Sequence, residues 1–116
     1  MEENLGTVRI SPQVLATIAR LSTLSVKGVV RMSRDLSSGM DRLLGKGGGE
    51  GVRIQIIDDA VSVDLYIIAA QNVDLYKLGR TIQSQVSRAI KDMVGMPVLA
   101  VNVHVENVQL AQSDDS

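Results

Sequence analysis

His104, the single histidine of this 116-residue chain, is the side chain best suited to chemistry. It is two residues from Glu106 in an alternating apolar and polar segment, so both side chains lie on one face of a predicted strand. Asp64 lies in another predicted strand that could neighbour it. Imidazole and carboxylate groups can bind a metal or transfer a proton. One histidine among scattered carboxylates is also an ordinary sheet surface, and no second histidine could activate a serine. We therefore expect neither enzyme activity nor a cofactor.

A glycine-rich segment, residues 33–51, is the second place where a ligand could bind. A phosphate-binding P-loop is excluded because Lys46 is followed by Gly47 and by a predicted strand, where Ser or Thr and a helix are required. The stretch Gly45–Gly48 matches the GXXG loop with which KH modules hold a nucleic-acid backbone. That loop joins two helices, whereas a strand follows here, so we interpret residues 33–51 as a flexible loop.

Four cations line one side of the longest predicted helix: Lys77, Arg80, Arg88 and Lys91. Such a stripe can bind phosphates, and with the Gly45–Gly48 loop it supports the alternative hypothesis of a small RNA-binding module. A charged side opposite an apolar one is also typical of any solvated helix. The stripe has no interleaved aromatic residues for base stacking, and the net charge of −1 supplies no general attraction to nucleic acid. These features argue against nucleic-acid binding.

The elements that position these residues follow from the hydrophobic pattern. In order, we predict a strand at Thr7–Ile10, a helix from Pro12 capped by Ser11, a strand at Val29–Ser33, the loop, a hairpin of Val52–Ile57 and Val61–Ala70, a helix from Asp74 to Val94, and a strand from Leu99. Each helix has one apolar stripe, so both can cover one sheet face. The predicted fold is an α+β two-layer sandwich with a mixed or antiparallel sheet. Residues 1–108 form one domain, and residues 109–116 form a polar tail.

The other face of this sheet has no predicted helix to cover it. The non-core strand positions place there Arg31, Arg53, Tyr66, Ile68, Asn102, His104 and Glu106. This mixture is typical of protein-interaction surfaces, and a merely solvated face explains it equally well. The slightly positive mean hydropathy of the chain favours an apolar surface used for self-association.

Composition also limits where such a protein would act. The chain contains no cysteine, which excludes disulfides and thiolate metal sites and fits a cytoplasmic protein. The longest apolar run, Leu65–Ala70, has the length of a strand and is far shorter than the roughly 20 residues needed to span a bilayer. The acidic start at Met1–Asn4 is unlike a signal peptide. We expect a cytoplasmic protein with no direct membrane span, peripheral to the membrane only through a partner.

Six segments carry a resemblance to a known family. They are Gly6–Ser11, Gly28–Val29, Val63–Leu65, Ile82–Gln83 together with Val86, Met93–Gly95 and Val101–Val105. In order and spacing they resemble the alkaline shock protein family of bacterial envelope stress response proteins, also called Gls-type general stress proteins, over about residues 6–108. The chain departs from the family pattern at Ala69–Asn72, where a Tyr-Gly-like turn is expected.

The resemblance implies a small, non-enzymatic cytoplasmic protein that self-associates near the cell envelope. Some members are tethered to the membrane by a separate anchoring protein, so the resemblance also implies a membrane-anchoring protein as a partner. The resulting hypothesis is an envelope stress response-type protein that acts as an oligomerising adaptor or scaffold.

Overall fold

The computed structural model describes residues 5–34 and 48–110 of the chain. Its elements are α1 (Pro12–Leu24), β1 (Val29–Met32), β2 (Gly48–Gly49), β3 (Val52–Ile57), β4 (Ala60–Ala70), α2 (Leu75–Val94) and β5 (Val98–Gln109). The strands form one mixed sheet, and the buried sides of both helices pack into a core on one of its faces. The predicted α+β two-layer sandwich is therefore confirmed.

Strand β4 is the centre of the sheet because both of its edges are paired. Along one edge, β3 pairs antiparallel with residues 60–65, and β1 pairs antiparallel with residues 67–69. Along the other edge, β5 runs parallel to residues 61–70. Strand β2 adds two residues to the outer edge of β3. The sheet is mixed because β5, which follows α2, begins at the same end of the sheet as β4, so these two strands run parallel.

The junction where β1 and β3 meet along β4 depends on Gly51. The Tyr66 N–H donates to the Gly51 carbonyl at 2.8 Å, and the Tyr66 carbonyl accepts from the Ser33 N–H at 2.8 Å. Gly51 has a φ of +70°, and a Cβ there would lie 2.7 Å from the Tyr66 carbonyl oxygen and 2.8 Å from the Met32 Cβ. Only glycine combines this left-handed backbone with so close an approach.

The long helix α2 begins and ends at local signals in the sequence. The Asp74 carboxylate accepts a hydrogen bond from the Lys77 N–H at 3.0 Å, which caps the first turn. Gly95 follows Val94 with a φ of 79°, the left-handed conformation that commonly ends a helix. The β3–β4 hairpin turns through Asp58 and Asp59, which both have positive φ, as a two-residue hairpin turn requires.

The core lies between the helices and the sheet. Its fully buried large side chains are Leu15, Thr23, Val61, Val63, Leu65, Ile67, Ile82, Val86 and Ile90. The only polar member, Thr23, donates its hydroxyl to the Ala19 carbonyl at 2.7 Å, so its burial leaves no unmade hydrogen bond. Buried and less buried side chains alternate along most of β4, so one face of the sheet is directed to the helices and the other away from them.

Two predictions about individual strands are wrong. Residues 7–10 form no strand: they have the alternating pattern but pair with no strand of the described sheet, in which β1, β3 and β5 already occupy both edges of β4. The alternation of β5 predicts Leu99 on the buried face with Val101, yet Leu99 is 58% exposed, because the β4–β5 register shifts at this point and leaves it as an extra residue between Val98 and Ala100.

Several predicted segments lie partly outside the described residues. Only Gly48 of the Gly45–Gly48 loop is described; it lies in β2 and pairs with Arg53 of β3. Most of the flexible loop predicted for residues 33–51 and the tail from residue 111 onward are likewise outside. Strand β5 extends to Gln109, the first residue of the predicted tail. Neither helix within residues 5–34 and 48–110 is both long and apolar enough to cross a membrane.

Candidate functional site

The face of the sheet opposite the helices, which we call the open face, has an organised group of side chains at its centre. The group, here called the open-face cluster, consists of Arg53, Asp64, Tyr66, Asn102 and His104. Strand register brings its members together: β3 places Arg53 beside Asp64, and β5 places Asn102 beside Asp64 and His104 beside Tyr66. Side chains on adjacent strands at matching positions are close enough to contact each other.

Two of these contacts involve the aromatic ring of Tyr66. Its ring stacks on the His104 imidazole, with 4.4 Å between the ring centroids and 9° between the ring planes. On the β3 side, the Arg53 guanidinium carbon lies 5.9 Å from the centroid of the same ring, within cation–π range. Tyr66 is therefore held between two partners from different strands.

The Asp64 carboxylate organises the other side of the cluster. Its Oδ1 lies 3.1 Å from His104 Nε2 and accepts a hydrogen bond from the Asn102 side-chain amide at 3.2 Å. The Asp64 side chain is 22% exposed and that of His104 is 42% exposed, so both are partly shielded from water. This contact fixes the plane of the imidazole, and the fixed plane keeps His104 against Tyr66.

The remaining residues predicted for this surface lie toward the β1 end of the sheet. Arg31 is exposed and pairs in register with Ile68. Ile68 is only 7% exposed, so it contributes little accessible surface although it is on the open face. Glu106 is exposed at a second register shift, where Asn107 instead of Glu106 pairs with Ile68. The structure therefore joins Asp64 to four of the predicted residues and leaves the other three outside the cluster.

The cluster combines side chains of different chemical character. Tyr66 and His104 present ring area, Arg53 presents a cation and Asp64 an anion. His104 and Asp64 are the two groups that a metal would need, yet protein metal sites with catalytic zinc use three ligands. Across residues 5–34 and 48–110, no group of three His, Asp or Glu side chains is close enough to hold a metal. The contacts of the cluster hold its side chains in fixed positions.

All four residues of the predicted basic stripe, Lys77, Arg80, Arg88 and Lys91, are exposed along α2. Arg80 is already bound by neighbours within the helix. Its guanidinium donates to the Tyr76 hydroxyl at 2.7 and 3.2 Å and to Gln83 Oε1 at 3.0 Å. The Gln83 side-chain amide in turn donates to the Val101 carbonyl at 3.0 Å, which links α2 to β5. The sequence predictions do not include this network, although Tyr76 and Gln83 lie four and three residues from Arg80, the spacing at which side chains on a helix contact each other.

Comparison with known proteins shows the family of this chain. The chain matches the model of the alkaline shock protein 23 family, described by a cell envelope-related function, over residues 1–110. It is 27% identical over 109 residues to the uncharacterized protein YqhY of Bacillus subtilis, covering 93% of this chain and 81% of that protein. It is 33% identical over 107 residues to the uncharacterized protein Spy1535 of Streptococcus pyogenes, covering 91% and 81%. No solved structure matches the chain.

The family match covers nearly the whole chain, including both helices and all five strands of the described residues. The resemblance inferred from the six sequence segments is therefore confirmed. The protein belongs to the alkaline shock protein 23 family, a family with a cell envelope-related function.

Proposed function

We propose that this protein is a non-catalytic adaptor or scaffold that self-associates and binds a membrane-anchoring protein through its open face. The observation that carries the proposal is the preorganised open-face cluster. Tyr66 is held between Arg53 and His104, and His104 is held by Asp64. Side chains that are already ordered lose less conformational entropy when a partner binds. The cell envelope-related function of the family supports the proposed place of action.

The chemistry of the cluster suits a protein partner. Tyrosine and arginine are enriched among the interface residues that contribute most to the binding free energy, because they combine apolar area with hydrogen-bonding groups. Arg53 and Asp64 present opposite charges within one cross-strand pair, so a partner must match both signs. That requirement gives specificity, since a like charge placed against either residue costs binding free energy.

The proposed location is the cytoplasm, at the membrane through the partner. The net charge of −1 provides little attraction to anionic lipid headgroups. A protein anchor, in contrast, would bring the domain to the membrane without any contact between the domain and lipid. The partner therefore accounts for the envelope association.

The two tyrosines of the chain allow a matched test. We would express the chain as a fluorescent fusion in Bacillus subtilis, which has a relative of this protein, and compare Tyr66→Asp with Tyr76→Asp. Tyr76 is 72% exposed on α2 and lies outside the open face. We expect the wild type and Tyr76→Asp to outline the cell periphery and Tyr66→Asp to be dispersed. Asn102→Arg, at an exposed position of the cluster, repeats the test without altering the aromatic stack.

Two results would contradict this proposal. One is a wild-type fusion dispersed through the cell, and the other is peripheral localisation that persists in both Tyr66→Asp and Asn102→Arg. Circular dichroism and thermal denaturation of the purified variants verify that dispersal is not caused by unfolding. Binding of the purified wild type to protein-free vesicles of anionic lipid would also contradict the proposal, because it would make the lipid itself the partner.

A further inference from the structure

The segment that precedes α1 leaves its apolar side chains uncovered. We call residues 5–10 the N-terminal arm. Leu5 is 87% exposed and Val8 is 88% exposed, the two highest values among the large hydrophobic residues of the described chain. The alternation at residues 7–10 predicts a strand, yet no strand forms there. Exposed apolar side chains in a segment outside any helix or strand indicate a surface that is covered in an assembly.

An open groove of about 760 Å³ lies where the arm joins the domain. The groove is lined mainly by one side of α1 and is closed by one residue from β3 and one from the end of α2. Its principal lining residues are Ser11, Val14, Ile18, Leu21, Val52 and Met93. Val14, Leu21 and Met93 are 46%, 55% and 70% exposed, so the groove presents apolar surface to solvent.

The arm does not cover the groove of its own chain, since its apolar side chains and those of the groove are both exposed. Ser11, which precedes Pro12, has an extended backbone with φ −75° and ψ 151°. Proline restricts the residue before it to extended conformations, so the arm leaves α1 in an extended direction. The apolar arm and the apolar groove are thus adjacent in one molecule but do not cover each other.

We propose that the groove binds the N-terminal arm of a second copy of this chain, in a reciprocal exchange about a twofold axis. This inference rests on the self-association proposed above and names the surface responsible for it. Ser11 directly follows the arm and lines the groove. Two copies that meet at this point can therefore each insert an arm into the other's groove, and the resulting contact is closed and symmetric.

Area and chemistry support a second copy as the occupant. Leu5 and Val8 supply apolar side chains, and the groove supplies apolar walls at Val14, Leu21 and Met93. A stable interface buries about 800 Å² on each partner, more than a six-residue arm covers alone. In a reciprocal exchange each copy contributes both an arm and a groove, so the buried area of a single contact is doubled. The open face remains free for a different partner.

Light scattering and sedimentation across a concentration series test this inference. We expect the wild type to dimerise and both Val8→Asp in the arm and Leu21→Asp in the groove to raise the dimer dissociation constant at least tenfold. Leu110→Asp is the matched control, since Leu110 is 71% exposed and outside the arm and the groove. It should dimerise like the wild type. Unchanged circular dichroism and melting temperature verify that the variants are folded.

Disulfide trapping provides a second measurement that does not depend on weakening the contact. The chain contains no cysteine, so any disulfide must come from introduced residues. We expect a Val8→Cys protein mixed with a Leu21→Cys protein to form a disulfide-linked heterodimer on mild oxidation. A Leu110→Cys protein mixed with the same Leu21→Cys protein should form far less of it.

The outcomes separate this inference from the proposed function. A wild type that is monomeric at every concentration overturns both the arm exchange and the self-association. A wild-type oligomer that Val8→Asp and Leu21→Asp leave intact, without the trapped heterodimer, overturns only the exchange. A disulfide formed within one chain of the Val8→Cys and Leu21→Cys double variant overturns it as well, because the arm would then occupy its own groove.

Discussion

Tyr66 and His104 stack face to face on the open side of the sheet, with their ring planes only 9° apart. They are neighbours because of a register shift at the start of β5. Val61 pairs with Val98, whereas the next residue of β4 pairs with Ala100. The extra residue at Leu99 brings the polar residues of β5 opposite the polar residues of β4. One bulge therefore brings Asn102 and His104 into the cluster.

The stacked pair predicts a measurable coupling in stability. We expect a double-mutant cycle with Tyr66→Leu and His104→Ala to give an interaction free energy of about 0.5–1 kcal/mol, since aromatic pairs contribute beyond their buried area. Urea denaturation measures the four unfolding free energies. His104 is the only histidine, so its ring protons are also directly assignable by NMR and should shift when Tyr66 is replaced. A coupling near zero with unshifted ring protons would contradict the stacking.

The bulge at Leu99 predicts that this residue is dispensable for the register of β5. Deletion of Leu99 removes only the extra residue and leaves Val98 opposite Val61 and Ala100 opposite Ser62, so we expect a cooperative unfolding transition to remain. Leu99→Ala is the control, because the side chain is 58% exposed and its truncation should cost less than about 1 kcal/mol. Thermal denaturation compares the two. A deletion variant without a cooperative transition would show that Leu99 is not the extra residue.

Two glycines should respond to alanine in opposite directions. Gly51→Ala forces a Cβ to within 2.7 Å of the Tyr66 carbonyl oxygen at a positive φ, so we expect a loss of about 2 kcal/mol or more in unfolding free energy. Gly79 lies within α2 with no atom within 4 Å of an added Cβ. Gly79→Ala should therefore gain about 0.5–1 kcal/mol through helix propensity. Urea denaturation measures the unfolding free energy of both variants, and equal changes would refute the role assigned to Gly51.

Burial should separate two otherwise identical substitutions. Ile82 on α2 is 0% exposed in the core, so Ile82→Ala should lower the unfolding free energy by about 2–5 kcal/mol through lost burial and the cavity left behind. Ile57 at the end of β3 is 47% exposed, and Ile57→Ala should cost less than about 1 kcal/mol. Chemical denaturation measures both values. A small loss for Ile82→Ala would mean that α2 does not pack on the sheet as described.

The basic stripe predicts no RNA affinity of its own. Arg80 is engaged by Tyr76 and Gln83, which leaves Lys77, Arg88 and Lys91 dispersed along the helix. We expect no salt-dependent RNA binding in a filter-binding assay at low salt. Affinity that falls steeply with salt and is lost in an Arg88→Glu, Lys91→Glu double variant would revive the RNA-binding hypothesis.

Local sequence signals determined the elements of this fold. The cap at Asp74 and the left-handed Gly95 bound α2, and the period of its apolar residues directs one side to the core. The alternation in β4 determined which residues face the helices. These features depend on residues a few positions apart, so the sequence by itself contains them. The resemblance to the alkaline shock protein family was also readable there, from six short segments.

Tertiary structure decided how the strands meet. Alternation assigns a side chain to a face but not to a partner, so the bulges at Leu99 and Glu106 and the burial of Ile68 were not predictable. The strand predicted at residues 7–10 has the right pattern but finds no vacant edge on β4. A strand exists only when another backbone satisfies its hydrogen bonds, and which backbone is available depends on the whole sheet. The sequence thus specified a polar face, and the β4–β5 register made it a cluster.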